Sequence, residues 1–254
     1  MALYLGKKRV APSVQVKVPS MKAYFEAGGK CAYSNATSFE GIIKYEDTSN
    51  VTDMSYMFSV CEVLRKIPEI DTSNATNMSN MFHYCRQLYM EELPKLNTSK
   101  VTDMSYMFEE TGGTKAPELD TSKVTNMSNM FSCQLTNRNL ILPLYDTSNV
   151  TNMRSMCRHR GSMKIVPAFN VQNVTNMYDM LDNCYSLTEI HMYGMKVDFD
   201  ISSSTKFTRE ALVEILNNLA TVTSTQTLTM RSTNLAKLTD EDKAIATSKG
   251  WTLA

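Results

Sequence analysis

The sequence holds no run of about 18 uninterrupted apolar residues, which removes an ordinary membrane-spanning helix from consideration. The opening segment Met1 to Gly6 meets Lys7, Lys8 and Arg9 before the apolar centre of a leader could form, so no secretory signal is expected and synthesis in a cytoplasm is. Charge of one sign is also missing: 26 Lys+Arg stand against 26 Asp+Glu in 254 residues, a formal net charge of zero. Such a chain has no global attraction for nucleic acid or an anionic membrane, and neither is expected as a partner. Histidine is scarce. His83, His159 and His191 are the three, and none stands in a His-Glu-x-x-His, Gly-x-Ser-x-Gly, P-loop or Gly-x-Gly-x-x-Gly context. His83-x-Cys85 and Cys157-x-His159 are the nearest approaches to metal-ligand pairs, and neither has further ligands in register, so no metal and no cofactor is expected.

What is present is a normal supply of core-forming residues, 43% hydrophobic and 9% aromatic, with one abnormal number: 19 methionines against 9 glycines and a single tryptophan. An internal repeat accounts for them. The string Asp47-Thr-Ser-Asn-Val-Thr-Asp-Met-Ser-Tyr-Met-Phe58 returns from Asp71, Asn97, Asp120, Asp146 and Asn170, giving six copies spaced by 24, 26, 23, 26 and 24 residues. The sixth column is always Thr, from Thr52 to Thr175. The eighth reads Met54, Met78, Met104, Met127, Met153, Met177 and the eleventh Met57, Met81, Met107, Met130, Met156, Met180. The twelfth reads Phe58, Phe82, Phe108, Phe131, Cys157, Leu181.

Within a copy the two methionines and the last apolar residue stand at i, i+3 and i+4. That spacing predicts one face of a short helix, with the threonine column as its N-cap. The proline three residues before each later copy (Pro68, Pro94, Pro117, Pro143, Pro167) marks an extended arm at a strand entrance or bulge. The Asp/Asn-Thr-Ser that follows suits an Asx-type turn. A unit of one short strand and one short helix cannot bury its own apolar face, so the copies are expected to stack around a shared core. The expected fold is an α/β solenoid with a helical C-terminal cap and a small β N-terminal segment. The methionines then read as packing, and the cysteines, which largely follow the same columns, as small buried free thiols.

Residues 1–19 read as an N-terminal β segment, 20–46 as an N-terminal cap, 47–200 as the repeats and 201–254 as a C-terminal α/β cap. In the last, a helix is predicted over 208–219 with Thr208 as N-cap, then a strand at 227–230, a helix from Thr239 to Lys249-Gly250, and Trp251-Thr-Leu253. At the front, Leu3, Tyr4 and Leu5 and then Val14, Val16 and Val18 predict two short strands around a basic turn at Gly6 to Arg9. This segment is too small to hold a core alone and is the candidate attachment element.

The recurring Asp-Thr-Ser-Asn-Val-Thr-Asn-Met-Ser-Asn-Met-Phe string resembles the BspA-like leucine-rich repeats, a methionine-rich branch found in bacterial surface proteins, some protists and bacteriophages. The resemblance covers residues 47 to about 190 and implies a leucine-rich-repeat-type stack used for adhesion or recognition. The copy from Asn170 departs from it at Val171 and Gln172, and Cys157 departs at the phenylalanine column. The opening Leu3 to Pro12 and the closing Leu238 to Leu253 resemble the ends of phage proteins. A surface-type repeat without an export signal also suits a particle released by lysis. The resulting expectation is a noncatalytic virion protein, a head or tail decoration or fibre. Residues 1 to about 20 would join it to other virion proteins, in a homo-oligomer, and the repeats would meet a glycan or protein on the host surface. The alternatives are a bacterial cell-surface adhesin whose signal has been removed and a glycan-cleaving enzyme, the latter needing paired carboxylates in a cleft. Positions free to vary between copies are the candidate recognition surface: Tyr56, Tyr84, Tyr89, Tyr106 and Tyr178, with the basic cluster Arg154, Arg158, His159, Arg160 and Lys164.

Overall fold

The computed structural model describes strands Leu3–Leu5 and Lys8–Val10 and residues 48–254, apart from 63, 68 and 135–138. The 20–46 cap and the strand expected around Val14, Val16 and Val18 lie outside the described residues. Strand β1 (Leu3–Leu5) pairs antiparallel with β2 (Lys8–Val10), Leu3 opposite Val10. The second strand therefore falls on the basic residues where a turn was expected.

In the repeats, parallel backbone bridges join residue 53 to 77, 77 to 103, 103 to 126, 126 to 152 and 152 to 176, one residue from each copy in register. The copies therefore form rungs 1 to 6. Alternate amides of each rung donate to carbonyls of the next. Met54, Tyr56, Phe58 and Val60 donate to Asn77, Ser79, Met81 and His83 at 2.9, 3.0, 2.9 and 2.7 Å, and the pattern continues through His159 to Asp182 at 2.8 Å.

The helix expected in each copy is replaced by two consecutive four-residue turns, of which rung 4 keeps only the first. Met57 donates to the Met54 carbonyl and Cys61 to the Phe58 carbonyl, both at 3.3 Å. The third residue of each turn is left-handed, Tyr56 at φ 61° and Val60 at φ 62°, which is the type II signature. The tenth column adopts this conformation in all six rungs: Tyr56, Asn80, Tyr106, Asn129, Ser155 and Asp179. A helix of one and a half turns would fix many dihedrals for few hydrogen bonds. The turn pair keeps the methionines and phenylalanine pointing inward and sends half its amides to the neighbouring rung instead.

Threonine in the sixth column is correspondingly not an N-cap. Thr76, Thr102, Thr125, Thr151 and Thr175 each donate an Oγ1 hydrogen bond of 3.2 Å to the threonine carbonyl of the preceding rung, an exposed ladder along the stack. The second-column threonines are buried and run the other way: Thr48, Thr72, Thr121 and Thr147 donate to the first carbonyl of the following rung at 2.8 to 3.0 Å. The expected Asx turns are present. Asp71, Asn97, Asp120, Asp146 and Asn170 each accept the amide two residues on at 2.9 to 3.2 Å.

Both methionine columns are buried throughout, none more than 4% exposed. Phe58, Phe82, Phe108 and Phe131 stack with centroids 5.5, 5.5 and 5.7 Å apart. Where the column shrinks to Cys157, the aromatic stack passes to Tyr145 and Phe169 of the arms, at 6.2 and 6.3 Å, so large residues in the arm replace volume lost from the turn. The last two rungs keep their hydrogen bonds, and Val171 is buried where other rungs have threonine.

The arms carry only the two-residue strands β3 (Ile165–Val166) and β4 (Glu189–Ile190), paired parallel. Beyond them β5 (Phe199–Asp200), β6 (Gln226–Thr229) and β7 (Trp251–Leu253) form a parallel sheet in that order. Helix α1 (Arg209–Asn218) is capped by Thr208, which accepts the Ala211 amide. The short α2 (Ser232–Leu235) leads to α3 (Asp240–Ser248), which opens on a capping box between Thr239 and Asp242. Arg209 grips Asp242 with two 2.7 Å hydrogen bonds, joining α1 to α3. The helix starts, the strand and the end at Gly250 stand where the sequence places them.

Candidate recognition surface

Recognition groups must lie where the stack does not consume the side chain, and the two left-handed columns provide this. A left-handed conformation costs roughly 1–2 kcal/mol for most residues, with Asn and Asp the usual non-glycine exceptions. Rungs 4 to 6 mostly obey that preference, with Asn129, Asp179 and Asn183, joined by Ser155 and His159. Rungs 1 to 3 do not: Tyr56, Val60, Tyr84 and Tyr106 are all left-handed. Tyr56 and Val60 are 44% exposed and Tyr106 36%.

His83 ties two of these residues, Tyr84 and Tyr106, together. Its ring meets Tyr84 edge-on at 4.5 Å and Tyr106 at 6.4 Å. Its Nδ1 lies 3.3 Å from Ser59 Oγ and its Nε2 2.9 Å from Glu109 Oε2, so three successive rungs contribute one polar row. Ser59 Oγ is buried and its amide is spent on Tyr56. The row thus holds the imidazole between the tyrosines. Arg86 lies over the Tyr84 ring at 5.2 Å and 3.6 Å from Glu110 Oε2. Glu110 is buried and accepts the Gln134 amide at 2.6 Å. The Arg86 guanidinium is thus matched by the Glu110 carboxylate, and His83 links Ser59 to Glu109.

At the other end of the same edge, Arg154 covers the Tyr178 ring at 5.4 Å. Arg158 bonds Asp182 at 3.0 Å and lies 3.9 Å from Asp179. The basic cluster read from the sequence is thus partly paired, and Arg160 leaves it altogether. Arg160 is 1% exposed. Its Nε donates to the Phe131 carbonyl at 2.5 Å, while Nη1 and Nη2 lack hydrogen-bond partners. Burial pulls its pKa down, against the neighbouring Cys133, Cys157 and Glu110. It occupies the fifteenth column, where the other donors are Cys85, Thr111 and Cys184, each bonded to a carbonyl of the rung before. Column position, rather than proximity to other basic residues in the sequence, was the signal for its burial.

Tyr89 is bridged to Gly112, on the segment leading to the arm. The structure thus brings Tyr84 and Tyr106 together at His83, places Tyr56 in the same column as Tyr106 two rungs away, and sets Tyr178 with Arg154. Val60, His83, Arg86 and Glu109 were not singled out by sequence reasoning, although their columns vary from copy to copy. A second exposed apolar group, Ile141, Leu144 and Ile165 on the arms, was also missed.

Cys85, Cys133, Cys157 and Cys184 are free and buried, as expected. Burial pushes the Cys85 and Cys157 thiols up to about 12. Cys61 differs: it is disulfide-bonded, which corrects the expectation of free thiols throughout. Among the described residues no group of three or more His, Cys, Asp or Glu side chains is placed to hold a metal ion. No described helix is long and apolar enough to cross a membrane.

A family model described as "Mycoplasma protein of unknown function, DUF285" matches residues 29–132 and again 113–211. The chain belongs to the DUF285 family. The first DUF285 match takes in rungs 1 to 4 and the second rungs 4 to 6, so the family module is a block of several rungs and two blocks share one. No curated protein matches the chain, and no solved structure does.

Proposed function

We propose that the chain is a noncatalytic recognition protein of a bacteriophage virion, a leucine-rich-repeat-like solenoid of the BspA-like type. Its N-terminal segment, with Leu3, Tyr4 and Leu5, attaches it to the particle, and the turn edge faces the host. One observation carries this reading. Columns that agree between copies are buried or bonded to neighbouring rungs, whereas the tenth and fourteenth columns change residue type and include the exposed Tyr56, Val60 and Tyr106. A frame held constant beneath a variable edge is an architecture for binding. Weak contacts per copy gain strength when many copies are displayed. Mass spectrometry of purified particles tests the assignment directly, and finding no peptide of this chain in them removes it. Purified chain should also bind host cells.

The disulfide at Cys61 favours a second reading, because such bonds persist mainly outside the reducing cytoplasm. A bacterial cell-surface adhesin meets that condition, and export or sortase genes beside the coding sequence would support it. Glycan cleavage is the third reading. Released oligosaccharide after incubation with host envelope glycans would establish it in place of the noncatalytic one.

A further inference from the structure

The left-handed tyrosines need a reason beyond folding. Asn or Asp at Tyr56 and Tyr106 would satisfy the turn with less strain, as Asn80, Asn129 and Asp179 do in the same column. The strained choices include Tyr56, Val60, Tyr84 and Tyr106 of rungs 1 to 3, where His83 packs against the Tyr84 and Tyr106 rings and Arg86 lies over Tyr84. The Tyr84 and Tyr106 rings are therefore held before any ligand arrives, which lowers the entropy lost on binding.

Three features define the ligand. Arg86 is matched by Glu110, so it is not free for an anionic polymer, and the edge offers flat aromatic faces and hydrogen-bonding groups. The amides of Tyr56, Asn80 and Tyr106 are all bonded to the next rung at 2.8 to 3.0 Å, so an extended peptide cannot add here as a strand. Tyr56 and Tyr106 stand two rungs apart with Asn80 between them, a separation of about 10 Å at the usual strand spacing. An extended β-1,4-linked hexose chain advances by close to one such spacing per sugar. Its axial C–H faces stack on aromatic rings and its hydroxyls meet amides and phenols.

We propose that the turn edge of rungs 1 to 3 is a subsite for an extended, uncharged β-linked hexose polymer, its axis along the stack, with alternate sugars on Tyr56 and Tyr106 and the intervening one beside Asn80. This rests on the surface-recognition reading above and gives it a ligand class.

The test uses the full chain and soluble hexamers of β-1,4-linked N-acetylglucosamine and of β-1,4-linked glucose, followed by calorimetry. At least one hexamer binds saturably, and the Tyr56→Asn, Tyr106→Asn double variant binds at least tenfold more weakly. The same variant melts at a higher temperature than the parent, because strain has been relieved; loss of fold would lower it. Leu144→Ala, exposed on an arm rather than on the turn edge, leaves binding unchanged, and an equal loss in it would overturn the proposal. No binding to either hexamer, unchanged binding by the double variant, or a lower melting temperature for it overturns the proposal. Host-cell binding is scored in parallel. Cells bound without hexamer binding would leave surface recognition standing and remove only the hexose subsite.

Discussion

Near-identical columns make the molecule its own control at the scale of single residues. Thr72 Oγ1 donates to the Asn97 carbonyl at 3.0 Å and accepts the Asn97 amide at 2.7 Å. Thr98, one rung on and equally buried, has an Oγ1 without a hydrogen-bond partner. Removing a buried partner leaves the other group's desolvation uncompensated, roughly 1–3 kcal/mol, whereas deleting an already orphaned hydroxyl removes a penalty. Thr72→Val should therefore lower the urea midpoint, and Thr98→Val should leave it unchanged or raise it. Arg160 follows the same logic. Exchanging its half-satisfied guanidinium for a methionine, the shape already used in the neighbouring columns, should raise thermal stability. Arg160→Ala should lower it by leaving a cavity. The thiols supply a chemical check: with Cys85 and Cys157 pushed up to about 12 and the four free cysteines among the described residues buried, a thiol reagent at pH 8 should label none of these four until the chain unfolds.

At the scale of elements, the junction between the last rung and the cap holds the one histidine clamped between two carboxylates. His191 Nδ1 lies 2.6 Å from Glu214 of α1, and Nε2 lies 3.1 Å from Glu189 of β4. The Glu214 hydrogen bond, with a smaller contribution from Glu189, raises its pKa above the usual 6.5. A raised folded-state pKa means that the stabilisation is fully present below the unfolded value and fades as pH climbs through the folded one. Melting temperature should thus decline on the alkaline side of 6.5. His191→Gln should flatten that decline, with a modest amplitude because the pair is partly exposed.

Elements also show what the sequence could reveal. Thr208 and Thr239 mark helix starts through local capping chemistry, and they were legible. The methionine columns and Asx turns were legible for the same reason. The turn pair was not, because apolar residues at i, i+3 and i+4 face inward both in a helix and in two consecutive four-residue turns. The distinguishing mark was the tenth column, where Asn80, Asn129 and Asp179 tolerate positive φ; Tyr56 and Tyr106 obscured it. The meeting of Tyr84 and Tyr106 at His83 depends on which columns share an edge, and spacing cannot tell this until the turn geometry is known.

For the whole molecule, rungs 2 to 5 each bond to two neighbours in the same way, and the cap closes one end. Excising residues 97–119, a whole rung starting at Asn97, rejoins Leu96 to Asp120 in the register used at every other joint. That variant should stay soluble and cooperative, with a smaller urea m-value because less surface is buried. Removing 208–254 should instead cause aggregation, since the buried Met195 and Phe207 lose the segment that follows them, including the 2.8 Å bond from the Ala220 amide to the Met195 carbonyl. Size-exclusion chromatography of the two variants separates these outcomes.

Interchangeable joints also bear on heredity. Because every interface repeats the same sixth-column threonine and amide contacts, unequal recombination between the near-identical stretches of coding DNA can add or drop 23 to 26 codons without breaking the product. Related genomes should accordingly carry versions that differ by whole modules, and the length of the stack becomes a trait that selection can lengthen or shorten one step at a time.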